Sequence, residues 1–207
     1  MSPPELTDTT IRYLFATAWL PCDTSQQVVA VPGGSTTAID TAANLLHIAM
    51  WNLRRRGLVE LEQLRAVERE RVRMLGGRPF SGHTVIDADA RLPGLEGALL
   101  HASRAAAPGD VRALVRALDL DNRGPWNTVT GHCFREAAAA GLVEVKGRMF
   151  KKIVISDQAA VASLRKRNDE LRAARGACLD AEPELTMAVM SDCLRTVADA
   201  YNPSLGG

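Results

Sequence analysis

The sequence predicts a mainly α-helical globular protein of about eight to ten helices with small β-hairpins. Three observations favour this class. Apolar residues recur every three or four positions along most of the chain, runs that alternate apolar and polar residues are short, and the segment Gly-Leu-Val-Glu occurs twice, each time after a helical pattern. With 207 residues, 46% of them hydrophobic, the chain can bury a sizeable core. We expect a single domain over residues 1–207, with internal halves at 1–92 and 93–207.

The first half alternates helical patterns with turn signals. A first helix is capped at Thr7 or Asp8, and the β-branched run at 28–34 is a short strand that ends in Pro-Gly-Gly. A second, strongly amphipathic helix is capped by Ser35 or Thr36. The alternating run "LVELE" after Gly57 predicts a strand. The charged residues 62–75 fit either a strand or a helix, and residues 76–84 are predicted to form a loop.

The second half predicts more helix. Helical spacing follows Pro93, continues through the run "VRALVRAL", and resumes from Trp126 to Ala140. Alternating runs on both sides of Lys146-Gly147 predict a hairpin over 143–155, whose buried face would carry Val143, Val145, Met149, Ile153 and Ile155. Two further helices follow, the second of which begins near Pro183, a favourable first-turn residue.

The repeated segment connects the two halves. At Gly57 and again at Gly141, 84 residues later, a helix ends at a glycine and a strand begins with Leu-Val. A glycine directly after a helix commonly adopts the left-handed conformation, so we expect positive φ at both. A helix followed by a short hairpin is the second half of a winged-helix unit, and we therefore predict two winged-helix-like helix–Gly–strand units. The alternative is that this sequence is ordinary chemistry for any helix-to-strand turn.

Composition narrows the functional classes. The net charge of +1 gives no global attraction to nucleic acid or membranes, so an anion site must be a local cluster. No apolar run approaches the ~18–20 residues of a membrane span, and the first residues lack the pattern of a signal peptide. We expect a cytoplasmic protein, with peripheral membrane association as an open alternative. Its four cysteines form no CxxC pair and are interpreted as core residues. No metal-ligand spacing or catalytic motif appears, so we expect no metal and no cofactor, and an enzyme is the least supported class.

Two basic clusters are candidate binding sites. Arg54, Arg55 and Arg56 end the second helix and could grip phosphates, although cations also suit a helix C-terminus for electrostatic reasons alone. The second cluster lies in the predicted hairpin, where basic residues surround an aromatic one; its members are Arg148, Phe150, Lys151 and Lys152. This composition suits a membrane surface, a DNA backbone or a protein partner, and the alternative is an ordinary hairpin with one buried face. We expect Phe150 to contact a second subunit or a partner, which would make the hairpin 143–155 a homo-oligomer contact.

The order of these elements resembles the Golgi phosphoprotein 3 family, whose relatives are widespread in actinobacteria. The motifs that carry the resemblance are "LRRRGLVELE" (53–62), "DARLPGLEGALL" (89–100), "AAAAGLVEVKGRMF" (137–150) and the closing pair of helices with Pro183. The resemblance implies a mostly helical, non-enzymatic adaptor at a membrane surface. In eukaryotic members such an adaptor binds a phosphoinositide headgroup and the tails of glycosyltransferases.

The residues with which that family binds the headgroup are replaced by other residue types at the aligned positions of this chain. Its arginine on the first amphipathic helix aligns with Leu46, its tryptophan aligns near Thr37, and its arginine pair aligns with Asn127 and Thr130. Arg123 and Trp126 lie beside the last two positions and are the candidates to substitute for them.

Two functions therefore follow as expectations. The first is an adaptor that binds a protein partner or an anionic, phospholipid-type surface. The alternative is a tandem winged-helix DNA-binding regulator, favoured by the repeat and by Asn and Thr in "NTVT" (127–130). Nucleic acid ranks second because the chain is nearly neutral. A small-molecule pocket between the halves is a third alternative.

Overall fold

A computed structural model describes nine stretches of the chain: residues 5–17, 29–31, 34–36, 38–64, 81–87, 90–105, 109–118, 125–146 and 152–201. Its helices are α1 (Asp8–Thr17), α2 (Ala38–Arg55), α3 (Gly94–Ala105), α4 (Val111–Arg116), α5 (Pro125–Ala139), α6 (Gln158–Ser163), α7 (Arg165–Ala181) and α8 (Pro183–Tyr201). Its strands are β1 (Val29–Val31), β2 (Gly34–Thr36), β3 (Val59–Gln63), β4 (Ser81–Val85), β5 (Gly109–Asp110), β6 (Val143–Lys146) and β7 (Lys152–Ile155). The predicted mainly helical class is confirmed. The predicted number of helices stays a prediction.

Helix α2 lies at the centre of the helical packing. It contacts α1, α3, α5 and α8. Leu46, Met50 and Leu53 of its amphipathic face are buried, and so are residues outside that face, among them Ala43 and Leu45. A helix that is buried on more than one side needs apolar residues around most of its circumference. The core continues into both halves of the chain, since Leu14, Leu99 and Val197 belong to the same buried cluster.

The two repeated segments end their helices in the same way. Gly57 has φ 69° and Gly141 has φ 73°, which confirms the predicted positive φ at both. The amide of Leu58 donates to the carbonyl of Leu53 at 3.0 Å, and the amide of Leu142 donates to that of Ala137 at the same distance. Each glycine amide also donates three residues back. This pair of bonds is the Schellman motif, which satisfies carbonyls that a helix end leaves unpaired.

The similarity between the two units extends through the hairpins. β3 pairs antiparallel with β4, and β6 pairs antiparallel with β7. In each unit the residue after the second strand donates its amide to the leucine carbonyl at 2.9 Å, from Ile86 to Leu58 and from Ser156 to Leu142. The next residue in each unit is an aspartate, and it accepts a hydrogen bond from the amide three positions later. The sequence therefore encodes the same turn chemistry twice, from the helix end to the aspartate.

Three local expectations were wrong. Residues 81–84, predicted as part of a loop, lie in β4, which also pairs with β5. The buried carboxylate of Asp192 explains this, because it accepts hydrogen bonds from both the amide and the hydroxyl of Ser81 at 2.7 Å. Ser35 and Thr36 were predicted caps of α2 but belong to β2, which pairs with β1. Val145 is 44% exposed rather than buried, because the β6–β7 sheet has only two strands and α5 covers its base at Val143.

The first turn of α1 is held by carboxylates from two other helices. Glu96 of α3 accepts hydrogen bonds from the amide and the hydroxyl of Thr9, and Glu136 of α5 accepts them from the amide and the hydroxyl of Thr7. Negative groups at a helix N-terminus satisfy its unpaired amides and complement its dipole. Burial raises the pKa of Glu96, and the hydrogen bonds from Thr9 and Asn52 oppose that rise. These hydrogen bonds fix the position of α1. They thereby also fix Arg12, which lies about one turn further along the helix.

Candidate functional site: an arginine-rich pocket

A pocket of about 700 Å³ opens between α1, α2, α7 and the start of α8. Its lining combines five arginines and one glutamate with a tryptophan, a histidine and a wall of small or apolar side chains. The residues are Arg12, His47, Ile48, Trp51, Asn52, Arg54, Arg55, Leu171, Arg172, Ala174, Arg175, Gly176, Ala177, Cys178, Ala181, Glu182 and Thr186. The pocket therefore carries a strong local positive charge in a chain whose net charge is only +1.

Two of the arginines are already neutralised by carboxylates. Arg54 forms a two-point ion pair with Glu182, at 2.7 and 3.1 Å, and its guanidinium lies 4.8 Å from the centre of the Trp51 ring. Arg55 forms an ion pair with the buried carboxylate of Asp8, which also pairs with Arg167 at 3.1 Å. These bonds tie α2 to α1, α7 and the α7–α8 junction, so both arginines have a structural role in forming the pocket.

The other three arginines have no ion-pair partner among the described residues. Arg12 donates to the neutral side-chain oxygen of Asn168 at 2.6 Å, and Arg175 donates to that of Asn44 at 2.8 Å. Burial lowers the pKa of both guanidinium groups, and the charges of Arg172 and Arg175 lower the pKa of Arg12 further. Asp169 partly offsets this effect on Arg12. The charge of Arg12 therefore lies close enough to those of Arg172 and Arg175 to be repelled by both. Arg12 and Arg175 are partly dehydrated, whereas Arg172 is exposed.

His47 adds a neutral polar group to the wall. Its Nε2 accepts a hydrogen bond of 2.8 Å from the indole N–H of Trp51, so the ring proton must be on Nδ1. His47 is 1% exposed. Burial, and then the charge of Arg175, lower its pKa to about 3, although the nearby backbone of Thr186 acts in the opposite direction. No acceptor completes a hydrogen bond of ordinary geometry to Nδ1 within the described structure.

The predicted binding residues divide into three groups. Arg54 and Arg55 lie in the pocket, whereas Arg56 is exposed and is not among the lining residues. Arg123, Arg148, Phe150 and Lys151 lie outside the described residues, as do the side chains of Trp126 and Lys152. A binding role for all of these residues stays a prediction.

The positions that align with the family's headgroup residues do not meet in this pocket. Leu46 is fully buried in the core and Thr130 is 8% exposed. Neither lines the pocket. Thr37 and the side chain of Asn127 lie outside the described residues.

Arg12, Arg172 and Arg175 were not identified from the sequence. The available signal was the pair of arginines three positions apart in "LRAAR" (171–175), which places both on one face of α7. Arg12 gave no such signal, because it is a single arginine in an apolar helix 160 residues away from Arg172.

Other chemistry is limited in the parts of the chain that the structure describes. These parts contain no group of three or more His, Cys, Asp or Glu side chains that could hold a metal ion. Cys133 and Cys193 are buried, and burial raises the pKa of both thiols, whereas Cys178 is half-buried in the pocket wall rather than in the core as expected. None of the described helices combines the length and apolar character that crossing a membrane requires.

No family model, curated protein or solved structure matches the chain.

Proposed function

We propose that the protein is a non-enzymatic adaptor that binds an anionic, phospholipid-type group through the arginine-rich pocket, in the manner of a Golgi phosphoprotein 3-like peripheral protein. The observation that carries the proposal is that Arg12, Arg172 and Arg175 line one pocket without an ion-pair partner among the described residues, and that Arg12 and Arg175 are partly buried there. Gathering like charges and removing them from water costs folding free energy. A phosphate group would supply the missing negative charge through strong, charge-assisted hydrogen bonds.

Exposed apolar side chains near the pocket favour a membrane surface as the source of that group. Leu179 is 40% exposed and follows the pocket residue Cys178, and Met187 is 48% exposed and follows the pocket residue Thr186. Basic groups with apolar neighbours are typical of proteins that rest on an anionic membrane. The adaptor would therefore hold a headgroup in the pocket while these side chains contact the lipid.

Flotation with vesicles tests this proposal. We expect the wild type to float with phosphatidylcholine vesicles that contain phosphatidic acid and to stay in solution with phosphatidylcholine alone. Arg172→Gln should weaken flotation without unfolding the protein, because Arg172 is exposed. Arg165→Gln is the matched control, since Arg165 is an exposed arginine of the same helix outside the pocket. Equal flotation with both vesicle types would contradict the membrane function.

A second function, sequence-specific DNA binding by tandem winged-helix units, is favoured by the repeated helix–Gly–hairpin geometry. In such a unit the helix before the hairpin enters the major groove. The burial of α2 on several sides disfavours that role for the first unit. For the second unit, Arg135 lies on the exposed side of α5. An electrophoretic mobility shift assay with genomic fragments at two salt concentrations tests DNA binding. The absence of a shift at low salt would exclude it.

We also propose that the chain self-associates through the hairpin 143–155. Val145 is 44% exposed, so its apolar side chain is accessible to a second subunit. Sedimentation of the wild type, Phe150→Asp and Val145→Asp tests the contact. An unchanged monomer in all three samples excludes it.

A further inference from the structure

The pocket is far larger than the anionic group that its arginines could hold. Its volume of about 700 Å³ lies within the range of roughly 300–1,000 Å³ for sites that bind drug-sized molecules. A phosphate group occupies only a small part of such a space. The remainder must be filled by the rest of the ligand or by water.

The remaining wall is mostly apolar and comes from two helices. α2 contributes Ile48 and Trp51, which lie three positions apart on one face. α7 contributes a stripe of one leucine and small residues at helical spacing, namely Leu171, Ala174, Ala177, Cys178 and Ala181. Water against such a wall is unfavourable, whereas apolar groups of a ligand are stabilised there.

We propose that the pocket binds an organic phosphate monoester, in which a phosphate dianion is joined to an apolar or aromatic body. This inference rests on the proposed function, because it names the class of ligand for the same arginines. Arg12, Arg172 and Arg175 hold the phosphate. The body lies between the apolar stripes of α2 and α7.

The charges agree with a single phosphate. A phosphate monoester carries about −1.5 to −2 charges at neutral pH and three acceptor oxygens. Three arginines without ion-pair partners among the described residues more than balance that charge, and each can donate to one of the three oxygens.

The apolar wall disfavours a ligand with many polar groups. A headgroup with several hydroxyls or phosphates would lose hydrogen bonds to water against Ile48, Leu171 and the alanines, and each unmade bond is costly. The ligand could come from a membrane, as a lipid with a terminal phosphate, or from solution, as an alkyl or aryl phosphate. Both sources present the same chemistry to the pocket.

Calorimetric titration of the full chain tests the inference with three soluble probes: inorganic phosphate, octyl phosphate below its micelle concentration, and octanol. We expect octyl phosphate to bind at least about tenfold more tightly than inorganic phosphate, because burial of two methylene groups already contributes about that factor. Octanol should bind weakly, since it lacks the charge. Equal affinities of octyl phosphate and inorganic phosphate, or of octyl phosphate and octanol, would overturn the proposal.

Variants separate the two parts of the site. Arg172→Gln should lower the affinity for octyl phosphate by about tenfold through the loss of a charged donor, and Arg165→Gln should not. Ala177→Phe should weaken octyl phosphate binding while leaving inorganic phosphate unchanged, because it fills the pocket without altering charge. Ala177 is exposed, so this change does not disturb the core. If octyl phosphate binds equally well to all these variants, the ligand lies elsewhere and the proposal fails.

Vesicles distinguish this inference from the proposed function. Binding of octyl phosphate without flotation on phosphatidic acid vesicles would support the inference, assign a soluble ligand and contradict the membrane function. Flotation without binding of octyl phosphate would support the membrane function and overturn the inference. Binding in both assays supports both, with a lipid as the source.

Discussion

His47 should make the stability of this protein depend on pH in a way that can be isolated from every other group. The histidine is buried against Trp51 as a neutral ring, and its pKa is lowered to about 3 by burial and by the charge of Arg175. In the unfolded chain its pKa is about 6.5. In the unfolded state His47 therefore binds a proton at pH values at which it stays neutral in the folded state. The resulting stability is fully present above pH 6.5 and is lost as the pH falls toward 3.

The size of the effect follows from the two pKa values. Relative to neutral pH, His47 should destabilise the protein by about 1 kcal/mol at about pH 5.5 and by roughly 2 to 3 kcal/mol at about pH 4.5. The variant to compare with the wild type is His47→Gln, which removes the titration of His47 and leaves the other ionisable groups in place. The difference in unfolding free energy between wild type and variant should change by those amounts as the pH falls.

Urea unfolding at a series of pH values, followed by far-ultraviolet circular dichroism, measures that difference. Other acidic and basic groups titrate in both proteins, so their contributions cancel. A difference that stays constant from neutral pH to about pH 4.5 would refute the reasoning. A ring that titrates near its ordinary pKa in the folded protein, followed by NMR, would refute it independently.

The other predictions concern the repeated units and the pocket. Gly57→Ala and Gly141→Ala should each lower the unfolding free energy by about 1 kcal/mol, because both glycines have positive φ; the absence of any loss at both sites would contradict this. Asp157→Ala should cost about 1 kcal/mol through loss of the cap bond to the third residue of α6, whereas Asp157→Ser should cost less. In a Cys22→Ser background, one thiol, Cys178, should react with Ellman's reagent in the native protein and three should react after unfolding.

The helices and the repeat could be predicted because local chemistry determines them. Each helix that the sequence predicted has apolar residues at the spacing of its buried face, as at Val189, Cys193 and Val197 of α8. The left-handed glycines follow from the same local logic, since Gly57 and Gly141 are the residues that can end a helix in that conformation without strain.

Strand β4 could not be predicted, because its stability comes from a distant residue. The letters Ser-Gly-His-Thr are typical of a loop. In the structure the amide of Ser81 donates to Asp192, 111 positions away, and His83 is buried. Local propensity for strand is weak compared with such tertiary contacts.

The arginines that carry the pocket's positive charge were missed for a related reason. Arg54 and Arg55 were predicted as binding residues because they are adjacent in the sequence, yet Arg54 is paired with a carboxylate at the α7–α8 junction and Arg55 with a carboxylate of α1. Arg12 and Arg175 were not predicted as binding residues, and their neutral partners, Asn168 and Asn44, lie far from them in sequence. Whether a carboxylate neutralises the charge of an arginine depends on which helices pack together. The spacing of residues within one helix does not show this.

The most direct test of the anion pocket is an NMR titration of the arginine side chains with octyl phosphate. The Nε–Hε signals of Arg12, Arg172 and Arg175 should shift together and saturate with a single affinity, while the signal of Arg165 stays in place. Shifts spread evenly over all arginines, or confined to arginines outside the pocket, would contradict the account.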